Sequence, residues 1–326
     1  MTIVSYSKNK KDVRITGRNW DDIKKYIIGA ERDRSTPLDE GKLIAGASNM
    51  FSTIKSKAPR GPNGLYNRMF TKDSNLEHTY SSALVGVLAA VNGDMEEAKR
   101  IYGLIKEKVK KGSNGLYGDR VLAKVEPSAQ TTLVLGGKAS NKSNEIINEF
   151  TDANAAFGIL AAAVGDIEEA RNQYHLIQTK IPKGNFGMYV HGALSRSDQN
   201  ECSNANAAAG ILAALLGYLE DAKAIYWLID DSVPKGDSGM YCNGVYKKEE
   251  GTDANALMGV LAHLIGYKDK SRKLYVLIEK NVPKSDSGMY SNAIKSAKES
   301  IPASAAVAIL AATIGGLAIC KQAGDR

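Results

Sequence analysis

Cysteine is scarce in this 326-residue chain, and its three copies, Cys202, Cys242 and Cys320, are too scattered for a disulfide framework or a zinc knuckle. That favours a reducing compartment and predicts a cytoplasmic protein without a metal. Long apolar runs are missing too. The N-terminus "MTIVSYSKNKKDVRITGRNW" has no signal-peptide core, and no stretch reaches membrane-spanning length, so no membrane partner is expected. Charge is not one-sided enough to point to nucleic acid. A formal net charge of +7 is spread along the chain, and its densest basic run, "SKNKKDVR", reads as part of a solvated N-terminal segment over residues 1–18. The phosphate, dinucleotide and metalloprotease signatures GxxxxGK[ST], GxGxxG after a strand and HExxH are absent, as is any CxxC pair, so no cofactor is predicted.

What is present is repetition. "PKGDSGMY" (234–241) contains the GDSG tetrapeptide of chymotrypsin-like proteases, but closely related segments end at Tyr66, Tyr117, Tyr189 and Tyr290. The position of Ser238 is Asn in two of them and Phe in a third, while Gly and Tyr never change. A turn position tolerates such exchange, and a nucleophile does not. Turns recur every 49 to 52 residues, except for 72 between Tyr117 and Tyr189.

Between turns lie two helical patterns. An Ala-rich stretch, apolar all round, ends at Gly93, Gly165, Gly217, Gly266 or Gly315, which predicts a buried helix with Gly past its C-terminus. A second stretch, such as "DIEEARNQYHLIQTKIP", is amphipathic, with acids early and lysine late, and predicts an outer helix. A degenerate pair, "EPSAQTTLVLGG" and "SNEIINEF", brings the expected total to six inner and six outer helices. The first outer helix has no inner partner before it, and the last inner helix has no outer partner after it. Ring closure would pair these orphans, whereas an open array would leave the last apolar helix exposed. The chain is therefore expected to be all-α, a single (α/α)6 toroid domain over residues 1–326 with one degenerate hairpin.

The "DANA…GILAA…GD.EEA" segments followed by "PKG..GMY" resemble the helix–Gly–helix–turn units of the six-hairpin glycosidase and N-acylglucosamine epimerase-like families, over roughly residues 39–316. The resemblance implies a carbohydrate or sugar-derived ligand at the face where outer-to-inner loops meet inner-helix N-termini. On that face are expected Tyr117, Tyr189, Tyr241 and Tyr290, together with Asn154, Asn206, Asn255, Asp152 and Asp253. These residues recur with the repeat, so they also read as packing tyrosines and helix caps, and Asn204 at the place of Asp152 and Asp253 suits a cap. Residues without an evident counterpart are Glu77, His78, Asp119, His191 and Glu201. Glycoside cleavage needs two carboxyl groups, for which Glu77, Asp119, Asp152 and Glu201 are candidates. Epimerisation needs bases, for which His78 and His191 are candidates. The function expected is thus that of a carbohydrate-active enzyme, a glycoside hydrolase using paired carboxylates, with a sugar epimerase or isomerase of the acylglucosamine type and a non-catalytic binding ring as the alternatives.

Overall fold

The computed structural model describes residues 38–70, 76–121, 147–194 and 201–319. The chain divides after Leu38, and every described helix belongs to the unit that begins at Asp39. Residues 1–18, Trp20, Cys320 and most of the degenerate hairpin lie outside the described residues.

Inner helices alternate with outer ones along the chain. Outer α1 (Glu40–Lys57) precedes inner α2 (Thr79–Val91), and outer α3 (Met95–Lys108) precedes inner α4 (Thr151–Val164). Then come outer α5 (Ile167–Lys180), inner α6 (Ser203–Leu215), outer α7 (Leu219–Ser232), inner α8 (Thr252–Leu264), outer α9 (Lys268–Asn281) and inner α10 (Ile301–Ile314). The inner helices are buried all round, and in α10 every residue is buried. Ala keeps them slim, and in α2, α4, α6 and α8 one glycine lets the neighbour approach. A Cβ on Gly86, Gly158, Gly210 or Gly259 would fall 2.6 to 2.8 Å from Leu160, Leu212, Leu261 or Leu310 on the next helix. The outer helices bury a single stripe, Ala170, Gln173, Tyr174 and Ile177 in α5. Asp94 and Asp166 cap α3 and α5 by accepting from the main-chain N–H of Glu97 and Glu169 at 3.1 Å.

The inner helices contact one another in the cyclic order α2, α4, α6, α8, α10 and back to α2. α1 packs on α10, pairing the two orphans as the sequence expects. Main-chain hydrogen bonds follow the same circuit. The first N–H of α2, α4, α6 and α8 donates to the carbonyl of Asp119, His191, Asn243 and Asn292, each two residues past the tyrosine of the next turn, at 2.8 to 3.0 Å. The first N–H of α10 donates to Arg68 in the first turn at 3.2 Å, which closes the ring. Five described hairpins complete this circuit, with α2 directly against α4. The last inner helix ends one residue later than expected, because Gly316 rather than Gly315 takes the positive φ. No helix among the described residues is long and apolar enough to cross a membrane.

Candidate active site

The repeated turns are held by a carboxylate that sequence reasoning treated as unmatched. Glu77, two residues before α2, accepts from Asn63 N and Leu65 N at 2.9 Å and from Asn63 Nδ2 at 2.6 Å. Glu149, two residues before α4, holds Asn114 and Leu116 in the same way. Glu201, two residues before α6, accepts from Phe186 N and Met188 N. Glu250 and Glu299 occupy the same place before α8 and α10, accepting from the hydroxyls of Ser238 and Ser287. Glu77 and Glu201 therefore do have counterparts, and at 2% exposure each is buried beneath a turn. Ser238, the serine of GDSG, is a turn residue whose hydroxyl engages Glu250.

The tyrosines and asparagines of the repeat also serve the turns. Tyr66, Tyr117, Tyr189, Tyr241 and Tyr290 are all buried. An Arg or Lys head group sits 4.5 to 5.0 Å from each ring centroid. Burial pushes the phenols of Tyr66 and Tyr189 up to about 12. Asn154, Asn206 and Asn255 accept from the N–H of Tyr117, Tyr189 and Tyr241 and donate back to the same residue's carbonyl. None of these eight residues is presented to a ligand.

Asp152 and Asp253 behave differently. The residues in the N-cap position of α4 and α8 are Phe150 and Gly251, and neither makes a side-chain cap. The carbonyls of the next turn take the leading N–H groups instead. The two aspartates stand at the second helical position, where Oδ1 accepts from the following N–H, Ala153 or Ala254, at 2.8 and 2.9 Å. That leaves each Oδ2 free for the ring axis. Asn204, at the same position of α6, donates through Nδ2 to Asp152 Oδ2 at 3.3 Å and to Asp253 Oδ2 at 3.5 Å. The two oxygens are thus at most 6.8 Å apart, the sum of those distances. Tyr80, at the same position of α2, donates its hydroxyl to Asp253 Oδ2 at 3.1 Å. Residues 80, 152, 204 and 253 come from four helices and converge because a closed ring points equivalent positions at one another. Burial holds the Asp253 carboxyl above its ordinary value, with the Asp152 charge adding to the rise. The Tyr80 hydrogen bond, the Arg68 charge and the Ala254 N–H oppose it without cancelling it.

Around this centre lies a rim. His78 precedes α2, and burial, then Arg68, lower its basicity, so the imidazole stays neutral at neutral pH. Asp119 is buried and paired with Arg120 at 3.3 Å. His191 packs tilted against Phe150 with ring centroids 4.2 Å apart, and its buried Nδ1 has no hydrogen-bond partner among the described residues. Cys202 precedes α6, and burial pushes its thiol up to about 12. Among the described residues no group of three His, Cys, Asp or Glu side chains is set to hold a metal ion.

No protein-family model matches the sequence, and no curated protein matches it. Solved structures do resemble it in shape. An endo-β-1,4-glucanase from Acetobacter xylinum superposes with a TM-score of 0.54 at 12% identity, over 84% of this chain and 98% of the other. A family 76 α-mannanase from Bacteroides thetaiotaomicron gives 0.54 at 10% identity, over 85% and 98%. A cellobiose 2-epimerase from Bacillus thermoamylovorans gives 0.51 at 13% identity, over 80% and 78%. At these identities the likeness is one of architecture: the chain carries an α/α toroid fold.

Proposed function

We propose that this chain is a carbohydrate-active enzyme, and within that class a glycoside hydrolase whose carboxyl pair is Asp152 and Asp253. The observation that carries the reading is the sharing of Asn204 by both carboxylates on the ring axis. A separation of at most 6.8 Å fits the roughly 5 Å of a retaining pair and the short end of the roughly 6.5–9.5 Å of an inverting one. The raised Asp253 carboxyl suits the acid, which gives its proton to the glycosidic oxygen as the bond to the anomeric carbon breaks. Asp152 then attacks that carbon or takes a proton from the water that does. Tyr80 keeps the acid in place. The free thiols of Cys202 and Cys242 support the expected cytoplasmic compartment.

The test is a panel of gluco- and manno-oligosaccharides incubated with the native chain, Asp152→Asn and Asp253→Asn. Cleavage by the native chain, lost in both variants at nearly unchanged melting temperature, is the expected result. Undiminished cleavage by either variant would exclude the pair. A second reading, an epimerase, draws on the neutral His78 at the rim. Its product would keep the mass and chain length of the substrate, which mass spectrometry distinguishes from hydrolysis.

A further inference from the structure

Two arginines at the rim have no part in the hydrolytic scheme. Arg68 follows the first turn and Arg120 the second. Their main chains are fixed on either side of the segment leading into α2: Asn67 bridges Glu77, and Arg120 bridges His78. The strand-like segment bearing His78 thus runs between the segments bearing the arginines. The Arg68 side chain is exposed and, among the described residues, has neither a hydrogen bond nor an ion pair. Arg120 engages Asp119 through Nε alone, so its two amino groups remain available. Both guanidinium groups are near enough to His78 to depress its basicity, and the field of Arg68 also reaches Asp253. The rim therefore sets two guanidinium groups as well as the Asp119 and Asp152 carboxylates around the imidazole of His78, and among the described residues the planar fork of Arg68 is filled by no carboxylate. Such a fork matches a carboxylate, sulfate or phosphate group.

We propose that Arg68 and Arg120, flanking His78, form an anion subsite, and that the ligand of this mouth is an acidic saccharide. This rests on the carbohydrate reading above, which it narrows to charged sugars. In it Arg68 takes the anionic substituent in a bidentate grip, Arg120 adds a second donor, and His78 offers a neutral one. The scissile bond then lies over Asp152 and Asp253.

The experiment is calorimetric titration of the full chain with cellobiouronate, with cellobiose and with sodium sulfate, at low and high salt. Cellobiouronate is expected to bind roughly tenfold or more tightly than cellobiose, the size of one charge-assisted hydrogen bond. The preference should shrink as salt screens it and vanish in Arg68→Gln. Because the Arg68 carbonyl, not its side chain, holds α10, that variant should melt like the native chain. Should it fail to fold, the salt dependence of the native preference decides. Equal affinity for the two disaccharides would overturn the anion subsite and leave the carbohydrate reading standing. Arg68-dependent binding of sulfate without either disaccharide would support the anion subsite and overturn the saccharide. Binding of none of the three would overturn both.

Discussion

Removing the Glu77 carboxylate tests whether it is part of a turn or part of the chemistry. Glu77→Ala strips the acceptor from two main-chain N–H groups, Asn63 and Leu65, and from the Asn63 amide. An orphaned buried donor costs about 1–3 kcal/mol, and Asn63 is partly open to water, so a loss of about 3 kcal/mol is expected for the site. At about 2–4 °C per kcal/mol for a domain approaching this size, the melting point should fall by roughly 10 °C. Gly61→Ala attacks the same latch from the other side. Its Cβ would lie 2.2 Å from Glu77 Cγ and 2.5 Å from Cδ, so the carboxylate must leave its donors. In the double variant the new methyl group occupies space that Glu77 has vacated. The two costs should therefore fail to add by about 2 kcal/mol, within the range seen for residues in contact. The fifth turn already shows the exchange. Ser285 stands where the other turns have Gly, and Glu299 there reaches the hydroxyl of Ser287, which in turn accepts from Met289 N. Denaturant melts of the native chain, the two single variants and the double variant measure the coupling. Strict additivity would refute the latch. A Glu77→Ala protein that melts like the native chain yet has lost turnover would move Glu77 into the chemistry.

Two further outcomes follow from the ring and its axis. The Asp253 carboxyl is raised in the folded state above its ordinary 3.8, so its protonation favours folding. That contribution is complete below the unfolded value and is lost as pH rises through the folded one. Asp253→Asn should remove this decline from the stability–pH profile of the native chain, and an identical profile would contradict the shift. If Asp253 is the acid, kcat/KM should fall on the basic side as it ionises. Deleting residues 1–57 takes α1, with Leu43, Ala47, Phe51 and Ile54, off α10. A closed ring should then lose its single cooperative transition, while sharp melting near the native temperature would refute closure.

The sequence determined the parts of this structure that are local. Helix pairs, glycine stops and tyrosine turns could all be read because periodicity, capping and positive-φ glycines act within a few residues. Closure was readable too, as two orphaned apolar faces required each other. The degenerate hairpin expected as the sixth falls mostly outside the described residues. The site was far less legible. Counted forward from the turn tyrosine, Glu77 follows after 11 residues, Glu149 after 32 and Glu250 after 9, which hid their equivalence. Counted back from the inner helix, each stands two residues before its start. That count was the available signal. Asp152 and Asp253 looked like caps because Asp before an apolar run usually is one. Only tertiary structure decided otherwise. Carbonyls of a neighbouring repeat, His191 for α4 and Asn292 for α8, supply the cap across the ring. Residues more than a hundred positions apart in sequence, Asp152 and Asp253, share one amide because closure brings equivalent helix positions to a common axis.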